Sequence, residues 1–289
     1  MTGDTVFGAY DRAALDAQYD NRARYADHDV YFRNWEAANQ AARGMPNLRA
    51  NISYGPGPEE TLDIFPAGES PAPVHVFIHG GYWQQRTKDD FSFVAQGLVP
   101  LGAHTVVINY ALAPQVTMDE IVRQNRAALA WIWRNAPDFG GDPDRIFVSG
   151  HSAGGHLAAM VMAADWTAFG DHLPPDLVKG GCAISGLYDL EPIRLTYLND
   201  ALGLDAEAAA RNSPVLHPPT RKAPIIVAVG AEESEEYHRQ AGDFVSVLTS
   251  REVPCEHFIA PGLNHYSIID QFMRPDTALS LAVGRQMGL

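Results

Sequence analysis

The chain predicts an α/β fold: a mostly parallel, twisted sheet of about eight strands, helices on both faces and a small helical cap. Three observations carry this. Short Val-, Ile- and Phe-rich runs recur along the sequence, several of them continuously apolar, as strands covered on both faces read. Helix-compatible stretches alternate with them, which is the signature of parallel βαβ units. Finally, Gly150-His151-Ser152-Ala153-Gly154 follows the apolar run Ile146-Phe147-Val148 and precedes Gly155-His156-Leu157-Ala158-Ala159-Met160-Val161-Met162, a strand, sharp turn and helix. With 289 residues, 46% of them apolar, the chain is long enough to bury a sizeable core.

In chain order, residues 9–42 are polar and aromatic and predict one or two helices outside the sheet. After Pro46 the runs 50–54, 61–65, 74–78, 105–109, 146–149, 181–185, 225–229 and 256–259 predict strands. Helices are expected over 89–101, 117–135, 234–250 and 275–287. Thr117-Met118-Asp119-Glu120 reads as a capping box, and the helix it opens should stop before Pro137. Residues 186–219 break the alternation with several prolines and are too long for a simple connection. They predict a helical insertion which, with the segment 1–45, forms a small cap on a single domain spanning 1–289. No repeat or linker divides the chain.

The net charge of −14 argues against nucleic acid, whose phosphates it would repel, and against anionic membrane surfaces. No apolar run is long enough to cross a bilayer. Met1-Thr2-Gly3-Asp4-Thr5 lacks the basic and apolar regions of a secretory signal, so a cytoplasmic location is expected. Cys182 and Cys255 read as small buried apolar residues of a reducing compartment, although spacing alone leaves a disulfide open. A homodimer is the default oligomer.

The chemistry-bearing residues follow from the sheet. A serine hydroxyl needs a base, and the base needs an acid to orient it. In an open parallel sheet these partners come from loops at the carboxyl ends of later strands. Ser152 is the candidate nucleophile. His265, in the loop after the last strand, is the candidate base. The acid is expected just after Ile225-Ile226-Val227-Ala228-Val229-Gly230. Glu233 is the choice there, with Glu232, Glu235 and, after the preceding strand, Asp189 as alternatives. His79-Gly80-Gly81-Tyr82-Trp83 follows the strand 74–78, and its glycine turn leaves backbone N–H groups free to meet a bound oxygen, together with the N–H of Ala153. Histidines 75, 79, 151 and 156 lack metal-ligand spacing, and no nucleotide motif is present, so neither a metal nor another cofactor is expected.

These residues resemble the α/β-hydrolases and, more narrowly, the arylformamidase (kynurenine formamidase) group, which is similar to the hormone-sensitive-lipase-like esterases. The resemblance rests on His79-Gly80-Gly81-Tyr82-Trp83, Gly150-His151-Ser152-Ala153-Gly154-Gly155, Ser185-Gly186-Leu187-Tyr188-Asp189-Leu190, Glu233 to Gln240, Asn264-His265-Tyr266 and the opening Leu15 to Arg22. It implies Ser152 as nucleophile, Glu233 as acid, His265 as base, and an oxyanion hole made by the N–H groups of Gly81, Tyr82 and Ala153. Well-known members often carry Asp at the acid position, and here it is Glu233. The activity implied is removal of a small acyl group, formyl above all, from an aromatic amide, with Trp83, Tyr188 and Tyr266 as candidate substrate-binding residues. A carboxylesterase for small acyl or aryl esters is the alternative on the same machinery. A non-catalytic ligand receptor on the same scaffold is the reading from a different class.

Overall fold

The computed structural model describes residues 4–289. Met1, Thr2 and Gly3, read above for the absence of a signal segment, lie outside the described residues. Eight strands form one sheet: β1 (Arg49–Ser53), β2 (Thr61–Phe65), β3 (Ala72–Ile78), β4 (His104–Ile108), β5 (Gly141–His151), β6 (Gly180–Ile184), β7 (Ile225–Gly230) and β8 (Cys255–Ala260). Their spatial order is β1-β2-β4-β3-β5-β6-β7-β8. β1–β2 and β2–β4 pair antiparallel, and every pair from β4 to β8 is parallel. β3 and β4 are buried along their whole length, as their mostly apolar character suits strands covered on both sides, with His75, His104 and Thr105 as buried polar exceptions.

The helices are α1 (Arg12–Tyr19), α2 (Asn21–Arg24), α3 (His28–Arg43), α4 (Ala95–Leu98), α5 (Met118–Asn135), α6 (Ala153–Met162), α7 (Trp166–Phe169), α8 (Glu191–Arg194), α9 (Asn199–Leu202), α10 (Ala206–Arg211), α11 (Glu235–Ser250) and α12 (Ala278–Met287). They divide between two faces. Residues of α1, α5, α6, α10 and α11 share one apolar cluster with Val74, Val76, Val148 and Val227. Residues of α3, α4 and α12 share the other with Phe77, Val107 and Ile226. The three short helices α8 to α10 occupy the stretch predicted as an insertion.

Two local expectations are corrected. Residues 88–94 form a 3₁₀ helix, kinked at Phe91, before the single turn of α4, where one continuous helix was expected. The buried Lys88 explains the tighter start: its ammonium is pulled back onto the buried Asp63 of β2 at 2.9 Å. At α5 the Thr117 hydroxyl caps Glu120 N–H, but the Glu120 carboxylate turns away to Arg123 and Gln124, so the box is half made.

The topology dictates where a ligand binds. From β3 the chain crosses to β4 on one side and returns to β5 on the other. The helical connections therefore diverge between β3 and β5 and open a crevice beyond the carboxyl ends of those strands.

Candidate active site

Ser152 follows directly on β5 and occupies φ 57°, ψ −120°, a conformation that L residues rarely adopt. The strain is held from both sides. Its N–H bonds the Ile184 carbonyl at 2.8 Å, and its own carbonyl accepts from His156 N–H of α6 at 3.1 Å. Gly154 is needed because a Cβ there would run into the carbonyls of Ile78 and His79. Ala153 opens α6, so its N–H has no carbonyl one turn earlier to bind.

The loop after β3 packs against this turn. A Cβ on Gly80 would lie 2.7 Å from the His151 carbonyl oxygen and 3.1 Å from Ser152 Cβ, so only glycine lets the two loops approach so closely. Gly81, Tyr82 and Trp83 then take φ of 114°, 50° and 58°. Backbone bonds in this loop run to the carbonyls of Gly81 and Trp83, and none of them uses the N–H of Gly81 or Tyr82.

His265 and Glu233 meet at 2.7 Å, through His265 Nδ1 and Glu233 Oε2, and both are buried. A carboxylate only accepts, so Nδ1 carries the imidazole proton and Nε2 is left as the basic nitrogen. The other carboxylate oxygen of Glu233 accepts from Ser185 Oγ at 2.6 Å and from Gly230 N–H at 2.7 Å. Glu233 is thus bonded on both oxygens and cannot swing. Of the alternative carboxylates, Asp189 is engaged with Glu191 N–H and Arg239 and Glu235 with the Tyr10 phenol, while Glu232 is exposed.

The imidazole of His265 lies between two rings. His151 is 4.7 Å away between centroids, and Tyr237 is likewise 4.7 Å away. His151 Nε2 also donates to the His265 carbonyl at 2.8 Å, which pins the backbone of His265. Ser152, His151, His265, Gly81 and Tyr82 open onto one cavity of about 300 Å³, a volume at the small end of ligand sites. Its outer wall is aromatic and cationic, with Phe32, Trp35, Tyr197 and Tyr266 beside Arg22 and Arg86, and the Arg86 guanidinium stacks 4.1 Å over Phe32.

Two of the three candidate substrate-binding residues lie elsewhere. Trp83 is fully buried and donates its indole N–H to His156 Nδ1 at 3.2 Å. Tyr188 is fully buried, stacks on Phe244 at 4.3 Å and donates to the Ala183 carbonyl. Each ring is large and apolar and finds a partner for its one polar atom inside, so both are core. Tyr266 alone of the three lines the cavity. The residues that sequence reasoning missed are Asn21, Ser185 and Tyr237. Only Tyr237 had a readable signal, since it lies one helical turn beyond Glu233.

Four buried histidines surround the strand ends and stay neutral. Burial pushes His75 down to about 3, His79 and His156 to about 4, and His151 well below the ordinary value. The unfolded chain takes up these protons near pH 6.5. Their contribution to stability is therefore complete above pH 6.5 and is lost as pH falls from there toward 4. Asp270, raised to about 6 by burial despite the opposing hydrogen bond from the Trp35 indole N–H, works the other way and favours the fold at low pH. Asp189 is raised by burial too, and His104 and His257 are lowered by it, so lowered imidazoles outnumber raised carboxyls and acidification should destabilise, by about 1.4 kcal/mol per pH unit for each ring held neutral. Urea unfolding followed by tryptophan fluorescence should give a lower midpoint at pH 5 than at pH 7.5. An equal or higher midpoint at pH 5 would overturn this account.

Among the described residues, no group of three or more His, Cys, Asp or Glu is placed to hold a metal ion. Likewise, no helix there is long and apolar enough to cross a membrane. Cys182 and Cys255 are unpaired.

Comparison with known proteins shows what the chain is similar to. Residues 62–181, from β2 into β6, match the BD-FAE family model. The kynurenine formamidase of Salmo salar is 35% identical over 259 residues, covering 86% of this chain and 85% of that protein. The kynurenine formamidase of Danio rerio is 34% identical, covering 88% and 86%. Among solved structures, a Silicibacter sp. protein described as a candidate thioesterase superposes with a TM-score of 0.80 at 28% identity, covering 92% of this chain and 97% of that one. An eight-stranded sheet with this strand order, joined to such identity along nearly the whole length of both chains, makes this protein a formamide or ester hydrolase of the α/β-hydrolase fold that belongs to the kynurenine formamidase family.

Proposed function

We propose that the protein is a serine hydrolase that removes a small acyl group, formyl above all, from an aromatic amide through an acyl-enzyme. The observation that carries this is the 2.7 Å pairing of His265 with Glu233 in the same cavity as a serine held on a strained turn. His265 Nε2 takes the Ser152 proton as the hydroxyl attacks the carbonyl carbon. Glu233 keeps the imidazole in the required tautomer and stabilises its charged form. The N–H groups of Gly81, Tyr82 and Ala153 hold the negative oxygen of the tetrahedral intermediate. His265 then protonates the leaving amine, and water repeats the attack on the acyl-serine.

A formyl group needs little room, and the tight approach of Gly80 to Ser152 suits a small acyl side. The aromatic wall of Phe32, Trp35 and Tyr266 suits an aryl leaving group. The N-terminal helices and the 186–219 insertion supply Asn21, Trp35 and Tyr197 to the cavity and act as its cap.

Two measurements test this reading. N-formylkynurenine should turn over with a higher kcat/KM than p-nitrophenyl acetate, and fast ester cleavage without formamide cleavage would replace the formamidase reading with the carboxylesterase one. An organophosphonate should label Ser152 stoichiometrically. Absence of labelling, with ligand binding intact, would favour a receptor instead.

A further inference from the structure

The Tyr82 side chain has no part in the mechanism above, although the residue belongs to the cavity wall. Its backbone is costly. Residues 82 and 83 sit at φ 50° and 58°, in the left-handed region that L side chains resist, and such a conformation persists only where the surroundings hold it. Trp83 is held by its indole N–H on His156 Nδ1 at 3.2 Å and by its carbonyl, which accepts from Ala113 N–H at 2.8 Å. Among the described residues, the N–H and carbonyl of Tyr82 make no backbone bond, so its side chain must do the holding. The phenol oxygen makes three bonds. It lies 2.6 Å from the carbonyl oxygen of Tyr19, the last residue of α1; a carbonyl only accepts, so the single phenolic proton goes there. Tyr237 Oη of α11, at 2.8 Å, must then be a donor to Tyr82. Asn21 Nδ2, on the first residue of α2, donates at 3.2 Å. One proton given and two accepted fill the oxygen, and Tyr19, Asn21 and Tyr237 are all buried.

A phenol filled in this way offers nothing to a substrate, so its effect is mechanical. The N–H of residue 82 lies in the peptide plane between Gly81 and Tyr82. That plane turns if φ at residue 82 relaxes to a negative value, and the N–H turns with it. We propose that Tyr82 is a positioning residue: its phenol, fixed at three points, keeps residue 82 left-handed and its N–H aimed at the oxyanion. The oxyanion hole is then supported from α1, α2 and α11, none of which contributes an N–H to it. Only the loop after β3 separates the fixed phenol from the nucleophile turn, since a Cβ on Gly80 would already lie 3.1 Å from Ser152 Cβ. This role rests on the acyl-serine reading above.

Tyr82→Phe keeps the ring and the backbone and deletes the three bonds. With p-nitrophenyl acetate, which suits the formamidase and the carboxylesterase readings alike, kcat should fall roughly tenfold, short of the about 10²- to 10³-fold loss on deleting an oxyanion donor outright, while KM stays within about twofold. Phenylboronic acid forms a tetrahedral adduct with a reactive serine and places an oxygen where the oxyanion stands. Its Ki should rise by a factor similar to the fall in kcat. A purely structural loss would lower the urea midpoint and leave that Ki unmoved in the folded variant. Asn21→Ala is the second variant, for use if Tyr82→Phe fails to fold. It removes one of the three bonds and should move kcat and Ki in the same directions by roughly threefold. An unchanged Ki in folded Tyr82→Phe, or in Asn21→Ala if only that variant folds, would overturn the role of Tyr82 while leaving the acyl-serine intact. Absence of phosphonate labelling, together with absence of any inhibition of the parent enzyme by phenylboronic acid, would instead overturn the acyl-serine and the role of Tyr82 with it.

Discussion

Alanine in place of Ser152 is expected to lower kcat by roughly 10⁶-fold, the scale seen when a nucleophile is removed from a serine hydrolase. The substitution removes one oxygen and keeps the Cβ, so it neither relieves nor adds to the strain of φ 57°, ψ −120°. The bonds that hold the turn, Ser152 N–H to Ile184 and His156 N–H to the residue 152 carbonyl, belong to the backbone and survive. Folding should therefore be unaffected, and whatever activity remains reflects the backbone N–H groups and substrate placement. The check is kcat on N-formylkynurenine and on p-nitrophenyl acetate, with the urea midpoint measured alongside. A folded variant that keeps a tenth of the parent activity would rule out attack by this hydroxyl.

Glu233→Gln should cost about 10³- to 10⁴-fold in kcat, with little change in KM. Gln has the shape of Glu, and its carbonyl oxygen can still accept from Ser185 Oγ and Gly230 N–H. Its NH₂ group then faces His265 Nδ1, where the carboxylate oxygen stood at 2.7 Å. Two donors cannot face each other. The imidazole moves its proton to Nε2 to accept from the amide, and the nitrogen needed as base is blocked. Glu233→Asp keeps the charge but is one methylene shorter, so it cannot reach His265 without giving up Ser185 and Gly230, and a smaller loss is expected. Retention of more than a tenth of the parent rate in Glu233→Gln would show that another group orients the imidazole.

The sheet was legible because burial on both faces forces near-continuous Val, Ile and Phe. All eight strand runs read from the sequence fall on observed strands. Ser152, His265 and Glu233 could be picked out as candidates because a parallel sheet delivers its loops to one edge in a known order, and the structure brings His265 and Glu233 into contact. Other features depended on distance rather than pattern. Trp83 and Tyr188 adjoin motifs in the chain, but their rings turn inward, and adjacency does not say which way a side chain points. Asn21 reaches Tyr82 and Tyr237 across separations of 61 and 216 positions, which no local pattern encodes. Ser185 sits at φ 49° at the end of β6, a conformation that a serine codon does not announce, and there it donates to Glu233. The 3₁₀ turn at 88–94 follows from a buried ion pair with Asp63, formed with a residue two strands earlier in the chain than the next strand, β4.

The bonds from Tyr19 and Asn21 to the loop after β3 and to α11 act as a clasp between those two elements. Local loosening of a folded protein begins where few contacts hold a segment. In this molecule such fraying would not stay peripheral, because releasing the first two dozen residues unfastens Tyr82 and Tyr237 together. Proteolytic trimming or a bulky fusion at that end would act as a brake on turnover long before it threatened the sheet.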